Sequence, residues 1–439
     1  MSIIDESIRV AEAVSLKELW ELLPQEANAS REEGVDVPEE LFYTLKNSKG
    51  KSREQLLSAL RDLYSLNISP SYPYWEPEEF KEIISKNVKE LGKPSPGDLK
   101  DKVRGGLVGR CAGCILGKPV EVVSLDKVIS TLKPLGEYPI PYFLSLRAIG
   151  ALGHTEEPIL NCSREKLSSA VRDDDLDYTI LNSLLLKERG ETFSTMDVAQ
   201  MWLNHLPYMK IYTAERVAYR NLTLGYTPPH TAKILNPYRE WIGARIRCDP
   251  FGYISPGDPT SAARMAYTES LISHVKNGVY SSMFTAAMIS SSFILEDPKE
   301  IIKTSLSVIP QSSRLYEAIE DVMKEARKRS WDDAVHNLIY EGKYSKYHPV
   351  HAIPNDMIVA VSLICGGRDF GESISIAVSS GLDTDCNGAT VGSILGVLLG
   401  YSHIPNKWRK HFSIIETILA GYSEFPISTL TETLLKLID

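Results

Sequence analysis

Gly105-Gly106-Leu107-Val108-Gly109-Arg110-Cys111-Ala112-Gly113-Cys114-Ile115-Leu116-Gly117 carries a glycine at every fourth position, and Gly388, Gly392, Gly396 and Gly400 repeat that spacing near the other end of the chain. Four residues are close to one helical turn, so each series lines one face of a helix. An interior glycine costs a helix about 1 kcal/mol relative to alanine, and each series therefore needs a compensating contact. Close backbone approach is the contact that small-residue faces permit. The repeats predict two helices packed side by side in the core; the alternative is that each face separately accepts bulky side chains. Membrane dimerisation, the other setting of such spacing, does not suit surroundings this polar.

Acids stand beside both helices. Ser379-Ser380-Gly381-Leu382-Asp383-Thr384-Asp385-Cys386 leads into the second, predicted over Asn387 to Gly400. In an extended segment alternate residues point to one side, so Asp383 and Asp385 can face one ion. A second run, Arg172-Asp173-Asp174-Asp175, precedes an apolar helix predicted over Leu176 to Glu188. One carboxylate can cap such a helix and interact with its dipole. Three exceed what capping requires and repel one another unless a cation compensates, and oxygen donors select hard ions such as Mg²⁺ or Mn²⁺. Each run alone reads first as a solvated cap. Together they point to a shared metal site. Antiparallel packing of the glycine helices would bring Gly117 near Asp385, carrying Lys118-Pro119-Val120-Glu121 to the acids. Glu121 then suits proton transfer; its alternative is an exposed loop acid.

Helical patterns dominate the rest of the chain after Asp98. Helices are predicted over Asp98 to Gly117, Met196 to His205, Pro259 to Lys276, Ser281 to Leu295, Pro298 to Val308, Leu315 to Arg327, Trp331 to Tyr340, Ala352 to Cys365 and Phe370 to Val378, with a terminal helix from about Lys407. Pro259 and Pro298 suit first-turn positions. Before the break at Lys93-Pro94-Ser95-Pro96-Gly97, a capping box at Ser52 and Gln55 opens a helix through Leu56, Leu60 and Leu63, and Pro38 opens another through Tyr43 and Leu45. A further helix is predicted from about Glu78 to Leu91. The expected organisation is an all-α chain, with residues 1–95 a helical extension and 96–439 the main domain.

The chain has 439 residues, of which 48 are basic and 57 acidic, leaving a net charge of −9. This balance argues against a protein that grips nucleic-acid backbone. Met1-Ser2-Ile3-Ile4-Asp5-Glu6 is acidic where a secretory leader is basic. The longest apolar stretch, near Val391 to Tyr401, falls short of the roughly 18 residues of a membrane span. A cytoplasmic protein with no membrane partner is expected. Six sparse cysteines suit a reducing compartment. Cys111 and Cys114 form a CxxC, but zinc would want a second pair, and buried small residues of the glycine helix are the better reading.

These motifs resemble the ADP-ribosylglycohydrolase family. Its glycine-spaced opening helix, ending in a G-x-P-x-E turn, matches Gly105 through Gly117-Lys118-Pro119-Val120-Glu121. Its Thr-Asp-Asp metal motif matches Asp173-Asp174-Asp175, and its closing G-x-D-[TS]-D-[TS] motif matches Gly381-Leu382-Asp383-Thr384-Asp385-Cys386. Gly243-Ala244-Arg245-Ile246-Arg247 is similar to its G-a-a-M-R loop, and Ser273-His274 to its T-H pair. The likeness runs from about Gly97 to Trp408. Asp173 replaces a threonine, Cys386 replaces a hydroxyl ligand, and Cys114 stands where aspartate is frequent.

The resemblance implies a compact multi-helix orthogonal bundle and two Mg²⁺ ions, with Mn²⁺ as a substitute, held by Asp173, Asp174, Asp175, Asp383 and Asp385. It further implies Glu121, Asp174 and Asp383 as catalytic residues and Gly243, Arg247 and His274 as substrate contacts, with Arg247 meeting a phosphate. Asn387 or water would replace the ligand lost at Cys386. The implied reaction is hydrolysis of an ADP-ribosyl linkage on a protein or small acceptor. Another N- or O-glycoside, such as a nucleoside or simple sugar, is the alternative that the triple aspartate and Cys386 motivate. A non-enzymatic binding protein on the same fold is the third reading, against which the intact carboxylates count.

Overall fold

The computed structural model describes residues 2–85, 88–326 and 328–438. At its centre the helices Pro96–Gly117 and Thr384–Leu399 lie antiparallel, in the most extensive contact between any two described helices. A Cβ added at Gly105 would stand 2.1 Å from the Gly396 carbonyl oxygen, one at Gly109 2.0 Å from that of Gly392, and one at Gly113 1.8 Å from that of Gly388. Carbon atoms do not approach oxygen so closely, so the absence of side chains here sets the separation of the helix axes. Pro96 sits in the first turn of one helix, where its missing N–H breaks no bond, and Gly400 closes the other at φ 78°.

Further helices wrap this pair. Phe370–Ser379 packs on Thr384–Leu399, and Ala352–Gly366 packs on Phe370–Ser379. Lys276–Ser291, buried along almost its whole length, fills the space between Pro259–Ser270, Asp249–Ile254 and Ala352–Gly366. The architecture is all-α, as the periodicity predicts, and no helix is long and apolar enough to cross a membrane among the described residues.

Four local expectations fail for identifiable reasons. The helix predicted over Pro259 to Lys276 ends at Ser270, and a new one starts at Lys276, where φ is 41°. Between them Asn236 Nδ2 donates to the Ser273 carbonyl at 3.0 Å, holding the chain in a turn. Of the helix predicted from Glu78 to Leu91, only Phe80–Ile83 is helical among the described residues. The chain beyond it binds the main body instead, Ser85 N–H donating to Ser307 O and Leu91 N–H to Gly257 O. The terminal helix from Lys407 is a short turn, Asn406–Arg409, followed by an antiparallel pair of strands, Ile414–Glu416 and Glu424–Pro426, and then the helix Ile427–Leu435. Ala170 exchanges hydrogen bonds with the first strand, which favours the extended form. The second glycine helix begins at Thr384 rather than Asn387, so Asp385 lies inside its first turn.

The first residues fold into helices Ile3–Ala13, Leu16–Glu32, Glu39–Lys46 and Arg53–Tyr64, the last with the capping box that Ser52 and Gln55 predict. The first two, capped by Ser2 and Ser15, escape the sequence reading. These helices share an apolar cluster of their own, which also takes in Val217, Ile234 and Leu235 of the main body. Buried ion pairs join the two parts: Arg239 with Glu26 and Glu33, Lys276 with Glu33, and Arg314 with Glu76.

Because a methyl group at the glycine interface meets a carbonyl rather than a flexible side chain, Gly392→Ala should lower stability by about 3 kcal/mol or more, read as a depressed thermal midpoint. An unchanged midpoint would contradict the packing argument.

Candidate metal centre and cleft

The antiparallel glycine contact places the C-terminal end of one helix on the N-terminal end of the other. Thr384 Oγ1 donates to the Gly117 carbonyl at 2.9 Å, tying the two ends together. Lys118–Val120 then turns the chain so that Glu121 faces Asp385 and Asp383. The third acidic element is anchored by Arg110, which projects from the first glycine helix. Its guanidinium donates to Thr179 Oγ1 at 2.7 Å, Asp175 Oδ1 at 3.1 Å and the Ile246 carbonyl at 2.6 Å, and pairs with Asp249 at 2.9 Å. One buried arginine thus fixes the start of the helix Asp174–Arg189 and the turn Ile242–Arg247 against the helix pair.

The acids form two tiers. Asp173, Asp175 and Asp385 are buried, and each presents an oxygen within 4.8 Å of those of the other two. Asp174, Asp383 and Glu121 are partly exposed on the cleft above. This cleft, of about 340 Å³, is lined also by Lys118, Arg172, Tyr178, Tyr212, Glu215 and Gly243, with Ile242, Ile246, Pro349, Val350 and Leu382 as an apolar wall. None of the described residues among the first 95 lines it. Three of the five described non-glycine residues in the left-handed region, Val122 (φ 53°), Thr213 (φ 40°) and Leu382 (φ 62°), sit on its rim. Strain of this kind gathers where surrounding structure holds a site in one shape.

The electrostatics separate the acids. Burial and the neighbouring Asp173 charge, only partly offset by Arg172, push the Asp174 carboxyl up to about 7. Burial and Asp173, offset by Lys118, push Asp385 up to about 6. Burial raises Asp175 well above the carboxylate range despite Arg110, and burial with the Asp385 charge does the same to Asp383. The Asp383 and Asp385 carboxyls also act on each other, Asp385 raising Asp383 and Asp383 lowering Asp385. Glu121 is raised chiefly by the Asp385 charge, then by burial and by Asp173. Asp173 runs the other way: burial opposes its charge, but the Lys118 ammonium, Arg172 and the Asp175 N–H outweigh burial and hold it below the usual range. Asp385 Oδ1 is buried and receives no hydrogen-bond donor. An all-oxygen cluster with an open buried oxygen fits a hard divalent cation.

Not every residue implied by the resemblance reaches this cleft. Gly243 does, because a Cβ there would stand 2.0 Å from Glu215 Oε1. Arg247, expected to meet a phosphate, is fully buried. It donates to Glu269 at 2.6 Å, Glu215 at 2.5 Å, the Gly243 carbonyl at 3.0 Å and Ser273 Oγ at 3.1 Å, which turns its charge into the protein. His274 is buried too, bonded to Ser273 Oγ at 2.8 Å, and borders a different cleft with Tyr267 and Tyr280. Cys111 and Cys114 are fully buried free thiols, and the Cys114 thiol is raised by burial and by the nearby Asp173, Asp175 and Asp385. Lys118 and Arg110 escape the sequence reading as site residues. The signal for Lys118 is its place at the mouth of the glycine helix, next to the turn that delivers Glu121.

A family model described as ADP-ribosylglycohydrolase matches residues 95–431. A solved structure titled "ADP-ribosylglycohydrolase-related protein complex" is 18% identical, with a TM-score of 0.48, over 78% of this chain and 98% of that one. Over 90 residues, 20% of this chain, the sequence is 31% identical to (+)-alpha-terpineol synthase of Santalum album, of which it spans 15%.

Without a bound ion, Asp174 and Asp385 titrate near 7 and 6, against about 4 in an unfolded chain. The folded protein then holds more protons across that interval, so this part of its stability is complete at low pH and is lost as pH rises through the folded values. The metal-free melting temperature should therefore fall between about pH 5 and about pH 8, and saturating Mg²⁺ should raise it more at the higher pH. An equal Mg²⁺ increment at both pH values would contradict the coupling.

Proposed function

The chain belongs to the ADP-ribosylglycohydrolase family, and we propose that it is a divalent-metal-dependent hydrolase cleaving a glycosidic bond to ribose, with an ADP-ribosyl linkage on a protein or small acceptor as substrate. Residues 96–439 are the catalytic unit in this reading and residues 1–95 an extension. The observation that carries it is the two-tiered carboxylate cluster, with a buried oxygen of Asp385 left open beneath the cleft. Asp173, Asp174, Asp175, Asp383 and Asp385 are the residues that would hold metal. A divalent cation bound there supplies Lewis-acid polarisation and stabilises developing negative charge.

Glycosidic cleavage passes through an oxocarbenium-like state. Asp174 and Asp383, partly exposed in the cleft, stabilise positive charge at the anomeric carbon once they are ionised. Glu121 keeps its proton to higher pH than an ordinary glutamate because the Asp385 charge and burial disfavour its carboxylate. It is placed to exchange that proton with the leaving oxygen or the incoming water. The apolar wall from Ile242 to Leu382 limits water on the opposite side, and the half-exposed Tyr212 ring offers a face to a base or sugar.

One observation favours the alternative of a nucleoside or simple glycoside. Among the described residues lining the cleft, the only lysine and arginine are Lys118 and Arg172, and each is already paired, with Asp173 and Asp177 respectively. A pyrophosphate would have to be held by backbone groups or by cations outside the cleft.

The two readings separate when the protein is incubated with Mg²⁺ or Mn²⁺ and a panel of ADP-ribosyl-arginine, ADP-ribosyl-serine, nucleosides and simple glycosides. Release of ADP-ribose is expected; turnover of non-nucleotide glycosides alone would replace the first reading by the second. Glu121→Gln should reduce kcat by about 100-fold or more while leaving metal affinity intact. Wild-type turnover in that variant would remove Glu121 from the chemistry.

A further inference from the structure

The family pattern implies two ions, yet the donors for a second one are already engaged. Lys118 Nζ, largely buried, donates to Asp173 Oδ2, and the Asp175 N–H donates to Asp173 Oδ1 at 3.0 Å, so both oxygens of Asp173 have partners within the protein. Asp173 occupies the position of a neutral threonine ligand, and its extra negative charge is matched by that ammonium. At the closing motif the residue replacing the hydroxyl ligand points elsewhere: Cys386 Sγ lies 2.9 Å from Arg245 Nη2. Asn387, the substitute ligand, has its Oδ1 2.6 Å from the same guanidinium and its Nδ2 donating to Asn355 Oδ1 at 2.8 Å. Arg110 takes only one oxygen of Asp175, Oδ1, which leaves its Oδ2 for one ion.

What remains suits one ion. Among the described residues, Asp174, Asp383 and Asp385 form no ion pair with lysine or arginine, and Asp385 Oδ1 has no donor. We propose that this chain binds a single divalent cation, at Asp175 and Asp385 with support from Asp174 and Asp383, and that the Lys118 ammonium takes the place of the second cation. Two charges about 4 Å apart interact strongly in a weakly polar interior, so an ammonium salt-bridged to Asp173 disfavours a dication beside it. Lys118 and the departures at positions 173 and 386 then fit together: a fixed positive charge stands at 118, its counter-ion occupies the place of a neutral ligand, and the unused ligand is replaced by a thiol held by arginine.

This inference rests on the metal-dependent reading above. Mn²⁺ titrated into the purified full-length chain, followed by calorimetry for stoichiometry and by electron paramagnetic resonance, tests both separately. One ion per chain with an uncoupled Mn²⁺ spectrum is expected. Two ions per wild-type chain with a spin-coupled spectrum would overturn the proposal and leave the metal-dependent reading standing, whereas no binding would overturn both. Lys118→Ala should raise the stoichiometry from one to two, and Lys118→Arg should keep it at one. Lys118→Met, which preserves the aliphatic stem, serves if the alanine variant does not fold. A folded variant lacking the ammonium that still binds one ion would show that Lys118 does not exclude the second, and would overturn the proposal.

Discussion

Backbone-to-backbone contact between two helices is the constraint on which the rest of this structure depends. At Gly105, Gly109 and Gly113 the opposing carbonyl oxygen occupies the place where a side chain would begin. Such proximity costs helix propensity at each glycine, and the return is geometric as well as energetic. The helices are too close to rotate or slide independently, so the Gly117 end and the Thr384 end are held in fixed register. Everything chemical in the protein is hung on that register. Thr384 caps the Gly117 carbonyl, Glu121 follows one turn later, and Asp383 and Asp385 flank the joint.

The charge arrangement follows from the same geometry. Fixing three acidic elements around one point forces carboxylates into proximity, and a protein can relieve this by protonation, by resident cations or by a bound ion. The first two operate here, and the third is what the proposed function adds. Asp383 and Asp385 are both pushed toward protonation by burial and by their neighbours, Arg110 and Lys118 pair with Asp175 and Asp173, and Asp385 Oδ1 is left without a donor. The resident cations also grade the acids. Asp173 beside Lys118 is held below the usual carboxylate range, while Asp174, chiefly by burial, and Glu121, chiefly by the Asp385 charge, retain protons to higher pH.

Much of this was legible in the sequence because it lies in short, periodic or clustered patterns. The glycine repeats indicated both central helices and their contact, and the two aspartate runs indicated the acidic cluster; that Glu121 stands beside it followed only on the supposition of antiparallel packing, which the structure supplies. What escaped depends on tertiary partners. Nothing near Arg110 in the chain says that its counter-ions are Asp175 and Asp249. Arg247 and His274 match substrate-contact positions by motif, yet Glu215, Glu269 and Ser273, from separate elements, enclose Arg247, and His274 lies buried beside Ser273, as its place after the apolar Leu271 and Ile272 suits. The short strands after Lys407 form because Ala170 supplies an edge to pair with, and Ser85 and Leu91 stay out of a helix because Ser307 and Gly257 accept their hydrogen bonds. Local propensity had no access to either.

The central claim is that glycine-enforced register converts two distant acidic runs into one ion site. A crystal structure of the protein soaked in Mn²⁺, with anomalous scattering to locate the metal, tests it most directly. The account predicts an anomalous peak within bonding distance of the Asp175 and Asp385 carboxylates, at the junction of the two glycine helices. Saturated crystals with no peak there, or with manganese only at surface acids, would contradict it.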